Sequence, residues 1–260
     1  MNNIETVFQQ YSTYNKYMVG GSVKTEKKNE ILKKIKGGLI VSCQARKGWP
    51  MYGAEIMAAF AKAAQVGGAV GIRATGKDNL TAIKEKVDLP LIGINKVFSD
   101  YPVYITPTYE SAKEILEVGI DVIALDCTDR LRPNNEKYHE IISLIRKNYP
   151  DVLIMGEIST IEEAQKALKE DIDLISTTLS GYTPNSRPID RVDLDLIKEI
   201  KKISDLPIIA EGKVNDVNDA IEALKCGAHA VVMGTSITRP EIITERIVEG
   251  IKKDEDLGFK

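Results

Sequence analysis

Eight short runs rich in Val, Ile, Leu and Ala recur along this chain, each separated from the next by a longer stretch of helical character. They cover Gly38–Gln44, Ala69–Arg73, Pro90–Lys96, Val122–Asp126, Val152–Glu157, Leu174–Thr178, Pro207–Glu211 and Ala230–Gly234. Their starts lie roughly 20 to 33 residues apart, the length of one strand plus one crossover helix. Between them, Ala54 to Gln65 is rich in Ala and Met, and Ser111 to Glu117 carries apolar residues at helical spacing. Ser159 or Thr160 is placed to cap a helix that opens on two acids. Three of the helix-to-strand junctions carry a glycine (Gly67-Gly68, Gly119, Gly227), which supplies the left-handed residue that closes a helix. Eight such βα units predict an α/β chain folded as one (β/α)8 TIM barrel. An open doubly wound sheet is the alternative.

Two stretches precede the first unit. Thr25 to Lys36 predicts a helix leading into the first strand. Residues 1–24 are polar, with Tyr11, Tyr14, Tyr17 and the Gly20-Gly21 pair, and fit no βα unit. They are expected to form an N-terminal extension to a barrel domain spanning 25–260.

Composition narrows the partners. With 260 residues, 43% of them hydrophobic, the chain can fill a large core, and its apolar runs are far too short to span a bilayer. A net charge of −3 gives no reason to expect nucleic acid or an acidic membrane surface. No secretory leader is recognisable at Met1. Cys43, Cys127 and Cys226 are widely spaced and odd in number, so reduced thiols in the cytoplasm are expected, not a disulfide framework or a zinc site.

The residues that finish the strands carry the functional signal, because substrates of TIM barrels bind at the strands' C-terminal ends. Here those positions hold Gln44, Arg73, Lys96, Asp126, Glu157, Thr178, Glu211 and, beyond Gly234, Thr235. Five are ionisable, and unpaired charge beside a packed apolar interior is costly. They form either a binding site or a ring of mutually compensating charges. In the second reading Lys96 would pair with Asp126, and Glu211 with Arg73 or Lys213.

The segments around these ends resemble the N-acetylmannosamine-6-phosphate 2-epimerase family. The likeness lies in Gly38-Leu-Ile-Val-Ser-Cys-Gln-Ala45, Gly67-Gly-Ala-Val-Gly-Ile-Arg-Ala74 and Leu89-Pro-Leu-Ile-Gly-Ile94, and continues in Ile123-Ala-Leu-Asp-Cys-Thr128, Thr177-Thr-Leu-Ser-Gly-Tyr-Thr183, Ile209-Ala-Glu-Gly-Lys-Val214 and Ile237-Thr-Arg-Pro240. It runs in order from about Gly37 onward. The resemblance implies epimerisation at C2 of a phosphorylated N-acetyl amino sugar, a step in sialic-acid breakdown, with Lys96 and Glu211 as the catalytic pair. It also implies substrate contacts from Gln44, Arg73, Asp126 and Arg239. Glu157 and Thr178 are added from their strand-end positions. Four departures stand out: Glu157 in place of the family's Asp, Asn95 for an apolar residue, Ser180 for a frequent His, and Thr235-Ser236 for Gly-Ala.

Epimerisation at C2 needs a base on one face of the sugar, an acid on the other and stabilisation of the enolate oxygen. His139 falls in a helix and His229 at the opposite end of the barrel, so both are expected to be structural, and acid–base work falls to Lys, Asp or Glu; the resemblance implies Lys96 and Glu211. As ends of the third and seventh strands, these two face each other across a closed barrel. The phosphate would sit on backbone N–H groups after strands seven and eight, at Gly212, Lys213, Gly234 and Thr235. No metal or cofactor is expected; a small sugar phosphate is the expected partner, and a homodimer is left open. Two other functions stay open: a Schiff-base aldolase or synthase using Lys96 as nucleophile, and a binding protein without catalysis.

Overall fold

The computed structural model describes residues 26–254; the expected extension at residues 1–24 lies outside the described residues. Eight strands, β1 (Leu39–Cys43), β2 (Gly71–Thr75), β3 (Leu91–Ile94), β4 (Val122–Asp126), β5 (Leu153–Glu157), β6 (Leu174–Ser176), β7 (Ile208–Ala210) and β8 (Ala230–Met233), close into a barrel in sequence order. Every neighbouring pair is parallel. The expected TIM barrel is the observed fold.

Helices alternate with the strands: α1 (26–35), α2 (Ala54–Val66), α3 (Lys77–Lys86), α4 (Tyr109–Leu116), α5 (Tyr138–Asn148), α6 (Ile161–Ala167), α7 (Leu194–Ile203), α8 (Val217–Lys225), α9 (Thr235–Thr238) and α10 (Pro240–Lys253). Four of them begin on a side-chain cap. Thr108, Thr160, Asp193 and Asp216 accept the backbone N–H of Ser111, Glu163, Leu196 and Asp219, each satisfying a donor the helix leaves free. Left-handed glycines at Gly119 (φ 77) and Gly227 (φ 107) follow α4 and α8, as the junction pattern requires.

Strand alternation sorts the core into two layers. Ile72, Ala74, Ile123, Leu125, Ile154 and Val231 point outward and pack beneath the helices. Ile40, Ile92, Val122, Ala124, Leu153, Met155, Leu174, Ile209 and Val232 point inward and fill the barrel. Ile31 and Ile35 of α1 join the inner cluster, so α1 plugs the N-terminal end. His229 holds it there, its Nε2 lying 2.8 Å from the Leu32 carbonyl, and Lys28 reaches Asp173 at 3.2 Å.

Several strand bounds differ from the sequence expectation, and in three places the local reason is plain. Pairing of β6 with β7 ends early because the Thr177 hydroxyl accepts from Glu211 N (3.2 Å) and donates to Glu211 O (2.9 Å), replacing the ladder. Beyond β3 the chain doubles back: Lys96 bridges Ile105 antiparallel, and Val97 N donates to Tyr104 O. At the other end of a strand, Ala69 N is drawn to Ala64 O as α2 closes, so β2 starts at Gly71 and not Ala69.

Candidate active site

A cavity of about 620 Å³ opens where the strands end, lined by Gln44, Arg73, Lys96, Thr178, Glu211, Gly212, Lys213, Gly234, Thr235 and Arg239 among others. Its centre is an ion cluster. Arg73 points inward from the middle of β2, only 2% exposed, and pairs with two carboxylates: Glu157 through Nη2 and Glu211 through Nη1 at 2.9 Å. Burial alone would lower the Arg73 pKa, and the two carboxylates more than offset that. The arrangement satisfies the compensation that buried charge requires, while leaving Arg73 Nε and Glu157 Oε2 without a hydrogen-bond partner among the described residues. Thr178 Oγ1 donates toward both carboxylates, 3.1 Å from Glu211 and 3.3 Å from Glu157.

Lys96 stands across the barrel mouth from Glu211. Its ammonium makes no ion pair or hydrogen bond with any described residue, and its backbone N–H is fixed by the Thr75 hydroxyl at 3.1 Å. Burial, with Arg73 nearby, brings its pKa down to about 8, although Glu211 and Glu157 pull the other way. Burial pushes the Glu211 pKa up to about 7, with Arg73 opposing and Glu157 assisting the rise. Lys96 is further buttressed by Thr106, which holds φ 45 while accepting from Asn95 N and donating to Ala124 O. A non-glycine residue in the left-handed region, fully buried and doubly bonded, fixes the turn behind the lysine.

The loops after β7 and β8 form one end of the cavity. Gly212 has φ +98, and a Cβ there would stand 3.2 Å from the Thr178 carbonyl, so both conformation and space call for glycine. Lys213 has φ 54, and its ammonium turns to the Ile189 carbonyl and the Tyr182 ring, leaving its backbone as the part that can meet a ligand. Gly234 caps α9, whose Thr238 hydroxyl donates to Ser42 O at 2.8 Å. Arg239 sits beside these loops with Nε–H donated to Glu241 at 2.7 Å.

Two residues expected at the substrate lie away from the cavity lining. Asp126 is bound by Arg130, Arg132 and the Thr128 hydroxyl, which organises the turn after β4. The alternative Lys96–Asp126 bridge is therefore absent among the described residues. Glu157 is fully buried beneath Arg73. Gln44 does reach the cavity; its amide nitrogen donates to Ser42 Oγ at 2.7 Å, and its Oε1 has no partner among the described residues. The departures from the family pattern have local partners. Asn95 Nδ2 donates to Ser111 O and Glu114, and Ser180 donates to the α7 cap, Asp193, at 2.6 Å.

Sequence reading missed Arg46, Trp49, Tyr104, Tyr182 and Arg246, all of which line the cavity. They sit on loops or on α10, where no periodicity marks direction. The one available signal was proximity to a strand end, since Arg46 and Trp49 lie in the segment just after Gln44.

Known proteins match along most of this length. Residues 57–253 fit the family model described as "Putative N-acetylmannosamine-6-phosphate epimerase". A curated relative from Caldanaerobacter subterraneus, named as such a 2-epimerase, is 46% identical over 225 residues, 86% of this chain and 95% of its own. One from Clostridioides difficile with the same name is also 46% identical, covering 85% and 99%. The solved N-acetylmannosamine-6-phosphate 2-epimerase of Clostridium perfringens superposes with a TM-score of 0.81 at 42% identity, over 84% of this chain and 95% of that one. Barrel, strand-end cluster and relatives agree, and the chain belongs to the N-acetylmannosamine-6-phosphate 2-epimerase family.

Proposed function

We propose that this protein interconverts N-acetyl-D-mannosamine 6-phosphate and N-acetyl-D-glucosamine 6-phosphate by removing the C2 proton and returning one to the opposite face. The observation that carries this reading is the Lys96–Glu211 pair. The two stand on opposite strands of one barrel mouth, share Arg73 as a neighbour, and have pKa values displaced toward each other. In the open-chain aldehyde the C2 proton lies next to the C1 carbonyl. Neutral Lys96 can take that proton while protonated Glu211 supplies another from the far side. The electron pair left on C2 passes to the C1 oxygen as an enolate and returns to C2 on reprotonation. Afterwards Lys96 is charged and Glu211 ionised, the state required for the reverse reaction. Arg73 adds positive potential that favours the enolate. Gln44 Oε1 is a free acceptor for a sugar hydroxyl or the N-acetyl N–H, Thr178 offers a hydroxyl, and Gly212, Lys213, Gly234, Thr235 and Arg239 form the phosphate end.

The names of the relatives favour neither the Schiff-base aldolase nor the silent binding protein. A place in amino-sugar and sialic-acid breakdown, and a cytoplasmic location, follow from this substrate; no helix among the described residues is long and apolar enough to cross a membrane. Residues 25–260 are proposed as the catalytic domain. A homodimer is supported by Ile247, Val248 and Ile251, which stand exposed on α10. The test of function is direct: purified protein with N-acetylmannosamine 6-phosphate should yield N-acetylglucosamine 6-phosphate, resolved by proton NMR. No interconversion would refute the reading.

Both working forms of the pair carry one shared proton, which fixes the pH dependence. Well below pH 7 Lys96 and Glu211 are both protonated and no base remains; well above pH 8 both are deprotonated and no acid remains. The expected kcat/KM profile is a bell with its maximum between the two values, and these belong to the coupled pair as a whole. A rate that climbs steadily past pH 9 would contradict it.

A further inference from the structure

We propose that Trp49, on the loop between β1 and α2, is a positioning residue that holds the Arg239 guanidinium flat at the phosphate end of the cavity. This rests on the epimerase reading for its substrate and on geometry for its mechanism. The Arg239 guanidinium lies 3.6 Å from the indole centroid, at van der Waals stacking distance. Its Nε–H is already committed to Glu241, and its two terminal nitrogens make no other hydrogen bond with a described residue. One edge is tied by a carboxylate and one face is covered by a ring, so the remaining fork keeps a fixed direction in the cavity that Gly212, Gly234 and Thr235 also line. A bidentate phosphate contact needs such a fixed fork, because an arginine free to rotate loses rotamer entropy on binding.

The same indole has a second cation. Arg46 lies 5.5 Å from the Trp49 centroid and 4.5 Å from that of Phe98, which stacks on Tyr104 at 5.3 Å. Two guanidinium groups on one ring would repel in the absence of an anion, and the electron-rich face of the ring offsets part of that repulsion. A phosphate arriving beside Arg239 removes the rest. Trp49 therefore favours binding through the cations it carries, without a hydrogen bond of its own to the ligand. An aliphatic side chain of similar bulk could fill the space but could not hold the charges.

That difference is the test. Trp49→Leu should raise KM for the sugar phosphate by about tenfold while changing kcat by less than about threefold, whereas Trp49→Phe, which keeps an aromatic face, should stay within about twofold of the parent KM. Because Trp49 is the single tryptophan of the sequence, its emission reports on the same contact. Inorganic phosphate should shift or quench it saturably in the unmodified protein, and Arg239→Ala should abolish the response. A Trp49→Leu enzyme with unchanged KM, or emission unaffected by phosphate at concentrations that inhibit turnover, would overturn the proposal. A protein that shows the phosphate response but no epimerisation would refute the reading of function and support this inference.

Discussion

Glu211→Gln and Lys96→Met should each lower kcat by about 10²- to 10⁴-fold, the range expected for removing a positioned acid or base. The reason is shared between them. In the proposed mechanism each cycle uses one group to take a proton and the other to give one, so either substitution should stop both directions. The double variant should therefore be little worse than either single one. Stability separates this account from a structural one. Lys96 makes no ion pair with a described residue, and burial already disfavours its charge. Replacing it with methionine removes that penalty, so the melting temperature should hold or rise. A structural lysine would behave in the opposite way, with a lower melting temperature and near-normal turnover of the folded fraction.

Arg73→Met should have the largest effect on the fold. Glu157 is fully buried, and the Glu211 side chain is 11% exposed; both depend on the one guanidinium between them. Removing one partner of a buried ion pair costs about 3–5 kcal/mol, because the remaining charge keeps its desolvation penalty. For a chain of this size that is a fall of roughly 6–20 °C in Tm at neutral pH. The deficit should depend on pH with a definite sign. Without Arg73 to oppose the effect of burial, Glu211 binds its proton still more tightly in the folded state than in the unfolded one. Stability then falls as pH rises from the unfolded value through the raised folded value, and returns on acidification. Adding Glu157→Gln to Arg73→Met should recover part of the loss at neutral pH, a coupling readable by thermal melts of the four proteins of the cycle. Additive losses would mean that Arg73 and Glu157 act independently.

The barrel was legible because its signal is periodic. The residues that finish the eight apolar runs, from Gln44 to Glu211, are legible in the sequence as polar or charged groups at strand ends. The layer beneath was less legible. Arg73 stands in the middle of β2, with Ala74 and Thr75 still in the strand, and it therefore meets Glu157, buried at the end of β5, as well as Glu211, which follows β7 and lines the cavity. Asp126 shows the limit of strand-end reasoning: Arg130 and Arg132, four and six residues on, turn it into the anchor of its own loop. Loops hid the rest. Tyr104 reaches the mouth only because the chain after Lys96 folds back at Ile105, and Trp49 meets Arg239 only because β1 and β8 are neighbours in a closed barrel. Neither closure nor fold-back has a periodic signature.

The proposed mechanism has two groups on opposite faces exchange different protons with C2. It is tested most directly by running the reaction in D₂O and following C2 by NMR at low conversion. N-acetylglucosamine 6-phosphate formed from unlabelled N-acetylmannosamine 6-phosphate should carry deuterium at C2, because the proton it receives comes from a solvent-equilibrated acid. The unreacted substrate should still carry protium. Product that retains its original C2 proton would contradict the two-residue mechanism and point to a single base returning the proton it removed.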